Sequence, residues 1–174
     1  AWAGSHRYGT AVWSGDIQST FSALNLQVPA GLNIGLSGIP WWTTDIGGFH
    51  GGDPNSPAFQ ELIVRWFQYG VFCPIFRLHG FRLPIENWSG SANEVWSFGD
   101  RAYTIIKDLL FLRQRMQPYI MDLMRQAHLT GTPPMRPLFF EFPEDATCAP
   151  IADQFMFGDD LLVSPVLSAG TVQR

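Results

Sequence analysis

The sequence predicts an α/β chain: stacked βα units, with the start of a β-rich unit at its end. Three observations carry this. Short apolar runs alternate with helix-period stripes from Ala11 to Ala127, the order expected of a sheet with crossover helices. Those runs show little polar alternation, as in parallel strands covered on both faces. After Gly131 the helical period stops, and strand-like runs separated by Pro, Asp and Gly take over.

Taken in order, Ala11-Val12-Trp13 reads as a short strand running into a turn at Gly15. Ser19 can cap a helix that carries Phe21, Ala23, Leu24 and Val28 inward. Pro29 is expected to break or restart it, since proline removes a backbone donor. A glycine-rich apolar run leads to a buried strand expected around residues 36–42. Gly47 to Pro57 is a loop, and Ser56-Pro57 opens the next helix as cap and first-turn proline. Phe59, Leu62, Ile63, Trp66, Phe67 and Gly70 form its inward stripe.

Val71 to Leu78 reads as another buried strand, and residues 80–99 as an irregular segment. Asp100 can cap the longest helix, whose stripe is Ile105, Leu109, Leu112, Met116, Tyr119, Leu123 and Ala127. Pro118 should kink it, and Gly131 with Pro133-Pro134 should stop it. Leu138–Phe140, Phe155–Phe157 and Leu161–Val163 then read as strands.

An apolar fraction of 46% in 174 residues is ample for a buried core. The net charge of −4, without a basic run, argues against a nucleic-acid surface. No apolar run reaches membrane-spanning length, so the chain reads as soluble with no membrane partner and with its compartment open. Cys73 and Cys148 form neither a disulfide framework nor a zinc spacing and read as buried free thiols. None of His6, His50, His79 and His128 forms a metal-ligand spacing. Because the chain opens on Ala1 rather than Met, it is expected to be a piece of a longer protein.

Chemistry concentrates at the predicted strand ends. Trp13-Ser14-Gly15-Asp16 and Trp41-Trp42-Thr43-Thr44-Asp45-Ile46-Gly47-Gly48-Phe49 each join aromatic faces to one carboxylate and turning backbone. Aromatic rings stack on the apolar faces of sugars, and carboxylates bind or protonate sugar oxygens. Sugar hydrolysis needs a proton donor and a second carboxylate, so Asp16 and Asp45 are candidates, with helix capping and turn formation as the plain alternatives. His79 can bond a sugar hydroxyl or be structural. Arg77 can pair with Asp45. Trp13, Trp41, Trp42 and Phe49 are stacking or core residues. Of Trp41 and Trp42, adjacent in a strand, only one can face a barrel interior.

These segments resemble family 31 glycoside hydrolases, retaining α-glucosidases and α-xylosidases, over essentially the whole chain. Gly4 to Asp16 resembles the family's acid/base segment. Gly31-Leu32-Asn33 with Leu36 to Phe49 resembles its most recognisable run. Phe76-Arg77-Leu78-His79-Gly80 resembles its late-barrel histidine motif, and Pro118-Tyr119, Gly131 to Phe142 and Phe157 to Val166 resemble its passage into a β-domain.

The resemblance implies the C-terminal part of a TIM (β/α)8 barrel over residues 1–132, followed from 133 to 174 by the transition into an all-β C-terminal domain. It implies Asp16 as general acid/base, Asp45 and His79 as hydroxyl-binding residues, and Trp13, Phe49 and Trp41 as lining. The nucleophile is implied on an earlier strand with no counterpart here, so the fragment alone is expected to be inactive, and to self-associate or need the rest of its chain. The substrate implied is an α-linked glucoside. α-Xylosidase, transglycosylase and a non-catalytic carbohydrate-binding or regulatory relative are the alternatives. No metal or organic cofactor is implied, since two carboxyl groups suffice for the reaction.

Overall fold

The computed structural model describes residues 2 and 4–172. Strand β1 (Ala11–Trp13) and strand β2 (Trp41–Thr43) pair in parallel and are connected through helix α1 (Phe21–Leu36). Helices α2 (Pro57–Gly70), α3 (Asp100–Arg115) and α4 (Gln117–Thr130) follow. The chain then forms an antiparallel sheet of β3 (Met135–Pro137), β4 (Phe155–Phe157) and β5 (Leu161–Val163), with a helical turn α5 (Leu138–Glu141) after β3.

The register of β1 on β2 separates two faces. Val12 lies opposite Trp42, and Trp13 opposite Thr43. Trp42 is buried toward the helices, where its Nε1 donates to Tyr69 Oη at 3.3 Å and Gly31 leaves room for its indole. By pleat alternation Trp13, Trp41 and Thr43 share the opposite face. The choice between the adjacent tryptophans is thereby made: Trp42 is the structural one.

All six stripe positions of α2, Phe59, Leu62, Ile63, Trp66, Phe67 and Gly70, are buried as expected. They join Leu24, Val28 and Leu32 of α1, Ile106 of α3, Leu123 of α4 and Phe155, Phe157 and Val163 of the antiparallel sheet in one core. Tyr69 meets Phe155, and Phe72 meets Phe157, edge to face. The terminal segment lies on α2: Leu167 is buried, the Gly170 N–H donates to Glu61 Oε1, and Arg65 donates to the Thr171 carbonyl. Among the described residues, no helix is long and apolar enough to cross a membrane.

The structure departs from the sequence expectations at identifiable places. Helix α1 runs straight through Pro29, because Leu24, Val28 and Leu32 anchor both sides of it in the core. Its cap is Thr20, whose Oγ1 accepts from the Ala23 N–H, while Ser19 Oγ accepts from Arg82 instead. The strand after α1 begins only at Trp41.

No strand forms over 71–78. Val71 to Cys73 turn off the end of α2, Pro74 has no N–H to give, and Arg113 donates to the carbonyls of Val71, Cys73 and Pro74. The segment still runs beside β2 and its continuation: the Ile75 N–H donates to the Trp42 carbonyl, and Leu78 forms a parallel bridge with Ile46 beyond the end of β2. The long helix divides at Met116 into α3 and α4 rather than bending at Pro118. Asp100 is the first residue of α3 rather than its cap. Leu138–Phe140 is a helical turn, not a strand, and β3 lies just before it. Cys73 and Cys148 are free and buried, and burial pushes the Cys73 thiol up to about 12.

Candidate active site

The turns after β1 and β2 and the 77–82 segment are laced together beyond the strand ends. The Phe49 and His50 N–H groups donate to the Ile17 carbonyl, and the Ser19 N–H donates to the His50 carbonyl. On the other flank the Phe81 N–H donates to the Phe49 carbonyl at 2.7 Å, and the Ile46 N–H donates to the Arg77 carbonyl. The loop after β2 is therefore held between the turn after β1 and the 77–82 segment.

Tight passage of this loop requires glycine. Gly47 and Gly48 have φ of 93° and 76°, left-handed values that side chains resist. A methyl on Gly48 would also sit 2.6 Å from the Gln18 carbonyl oxygen.

Asp45 stands at the centre of this lacing. It is fully buried, its N–H donates to Ser14 Oγ at 3.2 Å, and its Oδ1 accepts from Arg77 Nη2. Its Oδ2 is buried without a partner, as is Arg77 Nε. Burial raises the Asp45 pKa above the usual carboxylate value, against the lowering fields of Arg77 and His79. The negative charge of Asp16 raises it further. Asp16 itself is exposed in the turn after β1, two residues beyond Ser14, whose Oγ accepts from the Asp45 N–H.

His79 is exposed at the end of the third segment and leans on Phe49, with ring centroids 5.4 Å apart. Trp13 is 53% exposed at the end of β1, and Trp41 is half-buried on the same face. Of the sequence-predicted set, the structure joins Asp45 to Arg77 and Phe49 to His79, and places Trp13 opposite Thr43, two residues before Asp45. Among the described residues, no group of three or more His, Cys, Asp and Glu could hold a metal ion.

Sequence reasoning missed Arg82. This side chain is fully buried and donates to the carbonyls of Ile46, Gly47, Gly48, Gly51 and His79, to Ser19 Oγ and to Asn93 Oδ1. Its guanidinium lies 4.8 Å from the Phe59 ring centroid. Burial lowers its pKa to about 10, which still leaves it charged at neutral pH. The signal was present as glycines scattered over separate loops with no evident bulky group to enclose.

Residues 1–123 match the family model described as the glycosyl hydrolases family 31 TIM-barrel domain, and residues 131–174 match the glycosyl hydrolase family 31 C-terminal domain. An α-xylosidase of Saccharolobus solfataricus is 39% identical over 100% of this chain and 23% of its own length. Alpha-glucosidase 2 of Bacillus thermoamyloliquefaciens is 38% identical over 99% of this chain and 20% of its own. The solved structure of a family 31 α-xylosidase from a soil metagenome, complexed with xylose, superposes with a TM-score of 0.95 at 60% identity. That match covers 98% of this chain and 27% of the other.

The chain therefore spans between 20% and 27% of the length of these relatives. Its fold is the C-terminal part of a TIM barrel running into the family's C-terminal domain. With both models matched in succession and relatives covering its full length, the chain belongs to glycosyl hydrolase family 31.

Proposed function

We propose that this chain carries the acid/base half of a retaining α-glycoside hydrolase acting on α-linked glucosides. The observation that carries the reading is the buried Asp45, held by Arg77 with its second oxygen unpartnered, in the fields of both Asp16 and His79. Asp16 is assigned as general acid/base. Asp45 and His79 are assigned to sugar hydroxyls, Arg77 to holding Asp45, and Trp13, Trp41 and Phe49 to the apolar sugar face.

In the first step a nucleophilic carboxylate, assigned to an earlier barrel strand outside these residues, attacks the anomeric carbon. The glycosidic C–O bond breaks, and Asp16 gives its proton to the departing oxygen. In the second step the Asp16 carboxylate takes a proton from water as the water oxygen displaces the nucleophile, so the anomeric configuration is retained. Residues 1–132 are assigned to the barrel and 133–174 to the C-terminal domain. The isolated chain is proposed to be inactive, and to self-associate or need the rest of a longer protein. Among the described residues β1 pairs only with β2, and an open strand edge invites pairing.

A second reading, α-xylosidase, is favoured by the 60% identity with the soil-metagenome enzyme. Turnover of aryl α-glucoside and aryl α-xyloside by the full-length enzyme separates the two. A higher kcat/KM on the glucoside is the expected result, a higher value on the xyloside selects the second reading, and no turnover of either rejects both.

A further inference from the structure

We propose that Arg82 is a positioning residue: it holds the sugar-binding wall of Asp45, Phe49 and His79 as one rigid unit. The glycines of that wall leave the space it occupies. This inference rests on the functional reading above.

The bonding pattern singles out the site. Arg82 reaches Ile46 O at 3.1 Å, the carbonyl directly after Asp45, and Gly48 O at 2.9 Å, the carbonyl directly before Phe49. It reaches the carbonyl of His79 itself at 3.5 Å. Ser19 Oγ, at 3.1 Å, extends the hold to the turn that carries Asp16. One planar group with five donors thus touches the backbone beside every proposed wall residue, and its fork fixes their relative angles as a single-point ammonium would not.

Surrounding glycines lie close against Arg82. A methyl on Gly47 would lie 2.7 Å from Arg82 Nη2, one on Gly80 would lie 2.5 Å from its Cζ, and one on Gly90 would lie 2.7 Å from its carbonyl oxygen. Gly47 and Gly80 belong to the Ile-Gly-Gly-Phe and Leu-His-Gly segments. At Gly80 the guanidinium from two residues beyond fills the space, and at Gly47 it shares the space with Ile63, whose Cδ1 would lie 2.3 Å from such a methyl. A purely structural arginine would serve as well with partners away from the wall. Here most of its acceptors are in the wall.

The test uses the full-length enzyme with Arg82→Lys, Gly80→Ala, Asp45→Asn and the Arg82→Lys/Asp45→Asn double variant, read by kcat and KM on an aryl α-glycoside. Arg82→Lys is expected to lower kcat/KM by about 10–100-fold, since small misplacements of binding groups cost this much. Gly80→Ala should act in the same direction. In the Asp45→Asn background, the Arg82→Lys loss should shrink to less than about threefold, because residues acting through one another do not add.

Full additivity, or a folded Arg82→Lys enzyme with unchanged kcat/KM, would overturn the inference. So would loss of the fold in both Arg82→Lys and Gly80→Ala, which would make Arg82 a folding residue. A wild type without turnover takes down the functional reading and this inference together. An active wild type that depends on Asp16, with additive Arg82 effects, takes down this inference alone.

Discussion

Arg82 and Arg136 are both withdrawn from water, yet they are neutralised in opposite ways. Arg136, in β3, binds two carboxylates, Glu141 and Asp159, together with Gln126 Oε1 and the Pro133 carbonyl. Burial works to lower its pKa, but the bonds and fields of the two carboxylates outweigh burial and raise it. Arg82 bonds carbonyls, a hydroxyl and an amide, and no carboxylate, so burial dominates and lowers it. Beside the candidate active site, the carboxylates of Asp16 and Asp45 are left uncommitted to Arg82, and backbone dipoles take their place. In the passage to the C-terminal domain, carboxylates are free to close a structural ion pair.

The contrast predicts unequal costs for the same change. Arg82→Met strands a set of carbonyls at once and should destabilise the full-length enzyme by about 3–5 kcal/mol, as in breaking a buried charged network. Arg136→Met should cost less, about 1–3 kcal/mol, because Glu141 and Asp159 are 25% and 66% exposed and can rehydrate. Urea denaturation of both variants checks the order. Equal costs would erase the distinction.

Asp45→Asn tests the other side of the contrast, with a smaller effect of opposite sign. Removing a fully buried, half-satisfied charge should stabilise the protein by about 1 kcal/mol while lowering activity. The sign of the pH dependence follows from the raised pKa. As pH rises above 3.8 the unfolded carboxyl ionises first while the folded one keeps its proton, so native stability falls until the folded pKa is passed. The gain of Asp45→Asn over wild type should therefore grow from acid toward neutral pH, and a constant gap would contradict the assignment. The smallest effect is expected at Glu61→Ala, which removes a half-exposed partner of Arg65 and the acceptor for the Gly170 N–H. About 0.5–1 kcal/mol is expected there, read as a small shift in Tm.

What the sequence made legible followed from period and composition. The α2 stripe, the β1 strand and the Gly47–Pro57 loop are local patterns, and each survives in the structure. The Asp45–Arg77 pair was readable as two opposite charges in separate segments, which the structure joins. Features set by distant partners stayed hidden. Arg113 comes from α3 to take the carbonyls of 71–74, so no local pattern distinguishes that segment from a strand. Pro29 is tolerated because of packing on both sides of it, which propensity does not record. Arg82 draws its partners from several loops, and its mark in the sequence is the absence of side chains at Gly47 and Gly80.

The proton-transfer role of Asp16 is tested by Asp16→Ala in the full-length enzyme, with kcat/KM measured on a phenyl and a dinitrophenyl α-glycoside. The phenolate needs a proton as it departs and the dinitrophenolate does not. The phenyl substrate should lose about 100-fold or more, while glycosyl transfer to the enzyme from the dinitrophenyl substrate is nearly retained. Equal losses on the two substrates would contradict the assignment of Asp16 as the acid.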